Sequence, residues 1–508
     1  MKHSTRNVII VVACAAALSV TAVVLQKTGG TPSSSSSVSS SGGVQLVSKS
    51  SNDVVSMKVT NQKGTYTIVP TVTQNFSMSS ASSKSSAVTN YTVKEVAGCP
   101  IDTAETAAAV KNGFSLSASK EIGTVSNLSD YGLSSPQATV LVTFKDGSTY
   151  GYKIGNQTAT SVGSYYMCSD NSDKVYVVSV DAGLLEAPTY FIKKDMISLA
   201  ADNVSTPSNS PSSNSSSQYN FTQIILSGSA YPTGVTLQLK SSDQLGTTQS
   251  SMAIIEPDEF DTDSTNVQSL ETSLTSLTAD SVIAANPNSA ALKQYGFDNP
   301  TAVAQYTVNK KNYKLIIGAK DGSSKYYAML DKVPVVYAVT TDSINGLVSQ
   351  SLFALRNKSI FLPNIKNVKR VTIFSGTDKT EIDVARTEKV SSAISSGSGK
   401  EYDYKVSVGG KQLDYDTNYR NAYETLIALS VYAQADQQPS SSKPTIEVRY
   451  EYFDKAGTDA VELYEGTNRS YTAVSDGKVY GLCTKTDVDK ALQAIKDFAA
   501  GKSVADPF

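Results

Sequence analysis

Residues 294–301, Gln-Tyr-Gly-Phe-Asp-Asn-Pro-Thr, begin the pattern that decides the fold of this chain. After this stretch, apolar and polar residues alternate as far as Val308, a turn follows, and a second alternating run ends at Ile317 and Gly318. Two short runs that contain tyrosine come next. Alternation of period two is typical of a strand that buries one face. The stretch therefore predicts a loop that leads into an antiparallel meander of strands.

The same pattern occurs three times along the chain. An upstream copy has its proline at Pro136, and a fainter downstream copy has it at Pro444. Pro136 and Pro300 are 164 residues apart, and Pro300 and Pro444 are 144 residues apart. Units of this size exceed the periods of about 20 to 50 residues found in solenoids, and each is large enough to bury its own core. We therefore expect three tandem domains.

The residues that mark the copies are interpreted as structural landmarks. They are Tyr131, Gly132, Pro136, Tyr295, Gly296, Asn299, Pro300 and Pro444. Glycine permits an unusual backbone angle after the tyrosine, and proline fixes the start of the next strand. We expect these residues to shape a turn and not to form a site. The sequence predicts no catalytic residue, no bound cofactor and no metal site.

Each unit has the same predicted order of elements. Alternating hairpins are predicted at residues 54–69, 221–239 and 368–384. Stretches rich in acidic and hydroxyl side chains follow at residues 102–105, 261–264 and 414–417. Their oxygens can cap a helix N-terminus, so a helix is predicted after each. One main helix against an antiparallel hairpin and meander predicts an α+β fold class for every unit.

The composition is that of a globular protein with additional serine. The chain has 508 residues, 40% of them hydrophobic, and a formal net charge of −2. A charge so close to zero provides no electrostatic footprint for nucleic acid, and no such partner is expected. The absence of tryptophan and the presence of 28 tyrosines suit sheets with one hydrated face. The only histidine is His3, so the predicted domains contain none.

The N-terminal region predicts a membrane anchor. Residues 8–25 form an apolar run of 18 residues that only Ser19 and Thr21 interrupt. At about 1.5 Å per residue, a helix of this length nearly crosses a hydrocarbon core. Positive charges precede the run, so the N-terminus is predicted to lie inside. The expected protein is single-pass in a bacterial cytoplasmic membrane, with its C-terminal body extracytoplasmic.

Two alternatives to the anchor remain open. Residues 11–14 resemble a lipobox in which Cys14 would be lipidated, but the apolar run before it has only about five residues against the usual ~7 to 15. A cleaved secretion signal would use the small residues at 13–17, which lie too early in the run. All three interpretations place the body of the protein outside the cytoplasmic membrane.

The serine-rich tracts suggest the domain boundaries. The predicted plan is a cytoplasmic tail at 1–7, a transmembrane anchor at 8–25, a stalk at 26–43, repeat domain 1 at 44–200, a linker at 201–218, repeat domain 2 at 219–355 and repeat domain 3 at 356–508. Serine-rich tracts are flexible, so domain 1 is expected to swing relative to domain 2. Domains 2 and 3 lack such a tract and are expected to pack together. We expect a functional surface at their junction, around residues 356–363, or in the non-duplicated loops.

These features resemble a known family. An N-terminal apolar segment, a serine-rich stalk and repeated units that contain Tyr-Gly-Phe-Asp-Asn-Pro-Thr-Ala are similar to the domain-of-unknown-function family 4340 of bacterial envelope proteins. The first copy departs from the pattern, with Ser135 before Pro136, and the third lacks the Tyr-Gly pair. The resemblance implies an accessory role beside ABC-transporter membrane proteins. It brings no catalytic residues with it.

One serine pattern raises the question of catalysis. Residues 117–120, Ser-Ala-Ser-Lys, and residues 169–171, Ser-Asp-Asn, are similar to motifs of penicillin-recognising enzymes, in which lysine activates serine. No Lys-Thr-Gly or Lys-Ser-Gly follows them. We interpret the two stretches as a helix end and a β-turn.

A dense acidic cluster raises the question of calcium. It consists of Glu256, Asp258, Glu259, Asp261 and Asp263. An EF-hand loop that starts at Asp261 would need glycine and glutamate where the chain has Asn266 and Thr272. The cluster is therefore interpreted as the solvated, capped start of a helix.

Three cysteines lie outside the apolar N-terminal run, namely Cys99, Cys168 and Cys483. Cys99 and Cys168 share the first predicted domain, so a disulfide between them is possible, although unpaired thiols are favoured. A catalytic cysteine would need a base such as histidine, and the predicted domains have none.

The leading functional hypothesis is a membrane-anchored protein without catalytic activity that binds a partner, either ABC-transporter membrane proteins or an envelope polymer. One alternative is an extracellular glycan-binding or adhesion module. Tyrosines along one groove would favour it, and tyrosines within separate cores would count against it. Another alternative is an envelope hydrolase, which would need two carboxylates about 5 to 10 Å apart in a cleft.

Overall fold

The computed structural model describes residues 43–72, 89–159, 161–199, 219–241, 250–322, 324–389, 401–435 and 438–507. These residues form three large antiparallel sheets and one small two-stranded sheet. Each large sheet, together with the helices beside it, is called the first, second or third unit below.

The first unit contains a nine-stranded sheet. Its strands are β1 (Val44–Ser48), β2 (Val54–Asn61), β3 (Gly64–Val72), β4 (Thr89–Val93), β5 (Ser115–Thr124), β6 (Ala138–Phe144), β7 (Thr149–Gln157), β8 (Ser164–Ser169) and β9 (Lys174–Ser179). Their spatial order is β1-β5-β9-β8-β7-β6-β2-β3-β4. Helix α1 (Thr103–Phe114) begins at Asp102, whose side chain accepts hydrogen bonds from the amides of Ala104 and Glu105.

The second unit also contains a nine-stranded sheet. Between the first unit and this sheet lies β10 (Asp195–Ser198). The strands are β11 (Phe221–Ser227), β12 (Val235–Leu239), β13 (Met252–Glu256), β14 (Phe260–Asp261), β16 (Ser281–Ala285), β17 (Ala302–Val308), β18 (Lys311–Asp321), β19 (Lys325–Leu330) and β20 (Val335–Thr340), whereas β15 (Ser276–Thr278) lies outside this sheet. Their order is β14-β13-β12-β11-β17-β18-β19-β20-β16.

The helices of the second unit are short. They are α2 (Ser264–Thr275), α3 (Ser289–Gln294), α4 (Asn345–Val348) and α5 (Leu352–Leu355). Helix α2 begins at Asp263, which accepts a hydrogen bond from the amide of Asn266. Val267, Leu270 and Leu274 follow at helical spacing and are buried, so one face of this helix packs into the core.

The third unit has eight strands. They are β21 (Val368–Ser375), β22 (Asp378–Glu388), β23 (Tyr402–Val408), β24 (Lys411–Leu413), β25 (Ile446–Tyr452), β26 (Thr458–Glu465), β27 (Ser470–Ser475) and β28 (Lys478–Thr484), in the order β24-β23-β22-β21-β25-β26-β27-β28. Asp414 caps a π-helical turn that continues into α6 (Arg420–Ile427), and α7 (Lys485–Ala499) follows the sheet.

The three large sheets share one arrangement. In each, the first strand of the opening hairpin pairs with the first strand of the meander, so that β2 pairs with β6, β11 with β17 and β21 with β25. The remaining meander strands follow in chain order. Along β17 the residues alternate between buried and less buried positions, as their apolar pattern predicts.

The predicted α+β fold class is wrong. The described residues contain 28 strands but only seven α-helices, and four of these helices have eight residues or fewer. The reason is that segments directly after the capped helices are strands, since β5 extends the first sheet and β15 pairs with β10 in the small sheet. The fold is dominated by β-structure, and each helix covers only part of a sheet.

The prediction of a single-pass membrane protein is also corrected. No helix within the described ranges is long and apolar enough to cross a membrane. The longest, α7, has 15 residues and spans about 22 Å, against ~30 Å for a hydrocarbon core. The predicted anchor at 8–25, the tail before it and Cys14 lie outside the described residues, as do most of both serine-rich tracts.

The first and second units are joined more closely than the sequence suggested. Strands β10 and β15 pair with each other, and one cluster of buried apolar side chains runs through both units. The expected swing of domain 1 relative to domain 2 is therefore wrong, because a shared core opposes it. The third unit has a separate core.

Candidate functional site

A cavity lies between the second and third units. It has a volume of about 940 Å³ and is called the junction cavity. Strands β12, β13 and β14 of the second unit form one side, residues from β25, β26 and β28 or next to them form the other, and the linker at 357–364 lies between the two sides. The junction expected from the sequence to carry a functional surface therefore contains a cavity.

The linker is held by both units within a few residues. On the side of the second unit, the amide of Asn357 donates to the carbonyl of Asp261 at 2.8 Å. On the side of the third unit, the amide of Ile360 donates to the carbonyl of Leu429 at 3.1 Å. The backbone carbonyl of Lys358 accepts from the amide of Val431 at 2.9 Å. The linker therefore fixes the edge of the cavity while the units on either side keep separate cores.

A stack of three side chains connects the second unit to the third. Phe260, Arg356 and Tyr480 form it and are called the junction stack. The guanidinium carbon of Arg356 lies 3.8 Å from the centre of the Phe260 ring and 5.3 Å from that of Tyr480. Its Nη2 donates to the backbone carbonyl of Tyr480 at 2.6 Å. Cation–π contacts of this kind stabilise by up to about 2 kcal/mol when water is excluded.

Arg356 is 4% exposed, and its Nε has no hydrogen-bond partner among the described residues. Burial therefore lowers the pKa of its guanidinium. Phe260 and Tyr480 both line the junction cavity, so this buried cation lies directly behind the cavity wall.

Lys358 stabilises the start of the linker. Its ammonium donates to the carbonyl of Arg356 at 2.9 Å and to the carbonyls of Ala354 and Phe353. It also lies 4.3 Å from the centre of the Phe353 ring. Burial lowers the pKa of Lys358. The lysine thus closes the turn between α5 and the linker through backbone contacts.

The inner wall of the cavity carries a buried ion pair. The side chain of Lys240 is 3% exposed and contacts the carboxylate of Asp261, which is 31% exposed. Lys240 directly follows β12, and Asp261 ends β14. The ion pair therefore links the end of β12 to the end of β14. Removal of either partner would leave an uncompensated buried charge.

The opposite wall carries two further carboxylates that are held by cations. Asp454 accepts two hydrogen bonds from Arg386, at 2.8 and 2.5 Å. Asp459 lies 3.0 Å from the ammonium of Lys455 and accepts a hydrogen bond from the Tyr452 hydroxyl at 2.7 Å. These contacts fix the orientation of both carboxylates.

Two charged residues of the lining differ from the others. Glu259 lies on the side of the second unit and Lys478 on the side of the third. Both are exposed, and neither has an ion-pair partner within the described ranges. Each wall of the cavity therefore presents one charge that is available to a ligand.

The remaining lining is a mixture of apolar and amide side chains. Its apolar members include Leu239, which is 45% exposed, and Ile255, Phe361 and Leu362. Its amides are Gln238, Asn357, Asn364 and Asn367. Such a surface can pack apolar groups and exchange hydrogen bonds with a polar chain.

The predicted landmark residues lie in the turns before the meanders. Pro136, Pro300 and Pro444 each lie two residues before the first meander strand, which is β6, β17 or β25. Asn299 lies in the bend before Pro300. The three prolines therefore occupy equivalent positions in the three sheets, and none of them lines the junction cavity.

The two Tyr-Gly pairs form matching loops. Gly296 has a φ of +79°, and a Cβ there would lie 2.6 Å from the amide of Ala319, so a side chain would not fit. The ring centres of Tyr295 and Tyr327 are 4.7 Å apart. In the first unit Gly132 also has a positive φ, and the rings of Tyr131 and Tyr166 are 4.9 Å apart.

The chain matches the family described as Domain of unknown function (DUF4340) over residues 92–239 and 253–444. The chain belongs to this family. No curated protein and no solved structure matches it. The DUF4340 match contains Phe260, Arg356 and the linker at 357–364, whereas Tyr480 and Lys478 lie beyond the matched residues.

In this DUF4340 chain the serine pattern does not assemble a catalytic pair. Ser117 and Lys120 both lie on β5, whose register shifts between Ala118 and Lys120. Within the described residues no hydrogen bond joins the two side chains, so the serine has no lysine partner there. The stretch is a strand and not the helix end expected from the sequence. Ser169 ends β8 and precedes a turn in which Asn171 has a positive φ.

The acidic cluster is distributed among separate tasks. Glu256 accepts a hydrogen bond from Thr236 at 2.7 Å, Asp261 pairs with Lys240, and Asp263 caps α2. Among the described residues there is no group of three or more His, Cys, Asp or Glu side chains that could hold a metal ion.

The cysteines of the described residues are buried free thiols. Cys99 and Cys168 do not form the disulfide that the sequence left open. Burial raises the pKa of all three thiols, that of Cys483 to about 12. Because thiolate is the reactive form, burial lowers the reactivity of these thiols.

Ten of the 28 tyrosines are buried in the cores of the three units, and few of the others line the junction cavity. Tyr66, Tyr152, Tyr337, Tyr419 and Tyr423 are among the largest fully buried side chains. Only two tyrosines, Tyr452 and Tyr480, line the junction cavity. By the criterion set out from the sequence, this distribution counts against an adhesion surface built from exposed tyrosines.

The sequence pointed to the linker but missed most of the cavity. Lys240, Phe260 and Tyr480 come from segments up to 240 residues apart, and only the fold brings them together. One signal was available for Lys240, a charged residue that directly ends the alternating run of β12. No comparable sequence signal marks Tyr480.

Proposed function

We propose that this protein is a binding protein without catalytic activity, and that it holds a segment of a partner in the junction cavity. The observation that carries the proposal is an open cavity of about 940 Å³ between two units that have separate cores. Binding sites commonly lie at such interfaces, where two bodies contribute walls of different chemistry.

The chemistry of the lining supports binding and not hydrolysis. General acid–base catalysis by carboxylates needs one that is free to hold a proton and one that is free to accept it. Three of the four carboxylates that line the cavity, Asp261, Asp454 and Asp459, are paired with lysine or arginine. Only Glu259 has no such partner among the described residues. A carboxylate pair of the kind that glycoside hydrolases use is therefore not supported.

The partner suggested by the family resemblance is a component of an ABC transporter. An accessory protein of this kind would use its cavity to grip an exposed segment of a transporter subunit. An envelope polymer is the other partner suggested by the sequence. A glycan is favoured by one specific observation, the combination of Tyr452, Tyr480 and four amide side chains in the lining.

The experiment is site-specific photocrosslinking in cells that produce the protein. A photoreactive amino acid replaces Leu239, which lines the cavity and is 45% exposed. The matched control replaces Leu141, which is 44% exposed on the sheet of the first unit. The proposal expects a discrete adduct at position 239 that is absent at position 141.

The adduct is identified by mass spectrometry. A transporter subunit would support the accessory role, and another protein or a polymer would keep the binding function but replace that partner. Equal adducts at both positions, or none at 239, would overturn the binding function of the cavity.

A further inference from the structure

We infer that the occupant of the junction cavity is an extended peptide segment that carries one basic and one acidic side chain. This inference rests on the proposed binding function and specifies its ligand. Three features of the lining favour this ligand, namely its charge balance, its two unpaired charges and its uncharged side chains.

The charge balance excludes polyanions. Three lysines and four acidic side chains line the cavity, which leaves a small negative excess. Nucleic acids and other polyphosphates bind surfaces on which lysine and arginine predominate. The buried cation of Arg356 does not alter this balance at the surface, because its wall is formed by the rings of Phe260 and Tyr480.

The two unpaired charges specify the ends of the ligand. Glu259 is available to a basic group and Lys478 to an acidic group, and they lie on opposite sides of the cavity. A ligand that carries both charges would therefore bridge the two units in one orientation. Charge complementarity of this kind contributes to register and specificity.

The uncharged lining fits a peptide better than a sugar. The aliphatic side chains of Leu239, Ile255 and Leu362 offer a surface for an apolar side chain. Sugars stack on flat aromatic rings, and the two tyrosine rings of the lining already face the cations of Arg356 and Lys455. The amide groups of Asn357, Asn364 and Asn367 can donate to peptide carbonyls and accept from peptide amides. A peptide uses both properties, because its side chains and backbone alternate along an extended chain.

The test measures binding of four fluorescent peptides to the purified full-length protein by fluorescence anisotropy. All four share an apolar centre and differ at two polar positions. One carries lysine and glutamate, one keeps only the lysine, one keeps only the glutamate, and one is neutral, with glutamine in place of each missing charge. Each is made with several spacings between the two polar positions. We expect the peptide with both charges, at its best spacing, to bind about tenfold more tightly than the neutral one, which corresponds to ~1.4 kcal/mol.

Two variants assign the charges. In Glu259→Gln, the lysine of the peptide is expected no longer to increase affinity, whereas the glutamate of the peptide still does. In Lys478→Gln, the glutamate is expected no longer to increase affinity, whereas the lysine still does. The controls are Glu121→Gln and Lys58→Gln, which lie on β5 and β2 of the first unit and do not line the cavity. They are expected to change no affinity.

Four outcomes would overturn the inference. Equal binding of all four peptides would remove the role of the charges. Binding of a chitin hexasaccharide that Glu259→Gln weakens, with no peptide binding, would replace the peptide by a glycan. Failure of every peptide despite an adduct at position 239 would overturn the peptide class but not the binding function, and failure of both experiments would overturn both.

Discussion

The two junctions between consecutive units are built in opposite ways. Between the first and second units, β10 pairs with β15, the amide of Leu199 donates to Thr275 at 3.0 Å, and a single apolar core runs across the boundary. Between the second and third units there are two cores, a short linker and the junction stack around Arg356. The first junction resembles the interior of one domain, whereas the second resembles an interface between two.

This difference shows where the protein is able to change shape. Burial of apolar side chains across the first boundary opposes its separation, because separation would expose them to water. At the second boundary one cation and two aromatic rings meet, the linker makes backbone hydrogen bonds to both units, and each unit keeps its own core. The cavity therefore lies at the boundary that has the weaker coupling.

The largest expected effect comes from the core at the first junction. Leu277 lies on β15 and is 1% exposed, so Leu277→Ala is expected to reduce the free energy of unfolding by about 3 kcal/mol. Because the first two units share a core, calorimetry should show one destabilised transition for both and an unchanged transition for the third. Leu463→Ala, at an equally buried site in the third unit, is the control and should show the reverse. Separate transitions for the first and second units in the unaltered protein would contradict a shared core.

A smaller effect is expected from the junction stack. Arg356→Met retains an apolar side chain but removes the charge and the hydrogen bond to Tyr480, which should weaken the coupling of the third unit by about 2 kcal/mol. Hydrogen exchange of the amides in β28 should then increase, with little change in the first unit. Arg449→Met, which removes a surface pair with Glu447, is the control and should alter stability by less than about 0.5 kcal/mol. Unchanged exchange in β28 would show that the stack does not couple the units.

The dependence of stability on pH provides a third test. Burial raises the pKa of Glu271, on α2, from 4.5 to about 7. The folded protein therefore binds a proton more tightly than the unfolded chain, so this contribution is fully present below pH 4.5 and is lost as the pH rises through about 7. Glu271→Gln is expected to reduce the change in the free energy of unfolding between low and high pH by roughly 1.5 kcal/mol. The melting temperature at pH 5 and pH 8 measures it, and the transition of the third unit serves as the internal control. An equal pH dependence in the variant would refute the assignment.

The smallest effect separates the ring of Tyr480 from its hydroxyl. The hydrogen bond from Arg356 ends on the backbone carbonyl of Tyr480, so Tyr480→Phe should retain it together with the aromatic face. We expect a change of less than about 0.5 kcal/mol, whereas Tyr480→Leu should cost about 1 kcal/mol by removing the cation–π contact. Urea unfolding of the two variants measures the difference. Equal losses in both would show that the hydroxyl and not the ring is responsible.

Local patterns predicted several elements correctly, because their causes are local. The aspartate caps at Asp102, Asp263 and Asp414 were predicted from side chains that bind amides within four residues. The meander strands followed from alternation. The family was recognised from the repeated loop, and the junction around 356–363 was selected because it lacks a serine-rich tract.

The errors arose where distant contacts decide. The serine-rich tract at 201–218 suggested a mobile joint, but the residues on either side of it, including Ile197 and Tyr219, pack into the shared core. The α+β class failed because strands such as β5 are polar in sequence and are recruited by pairing with β9. The cavity forms only because the fold brings Lys240 and Tyr480 to one place, and no local sequence pattern predicts that long-range proximity.

The pairing at the centre of each sheet has a consequence for how the chain is made. Val59 pairs with Val140, Ile224 with Tyr306 and Ile373 with Val448, so each central pair spans 75 to 82 residues. During synthesis on the ribosome, the opening hairpin of every unit must therefore wait until the first meander strand has emerged. Contacts of such long range slow folding. The first unit must wait longer still, because its core is completed by side chains that are translated with the second.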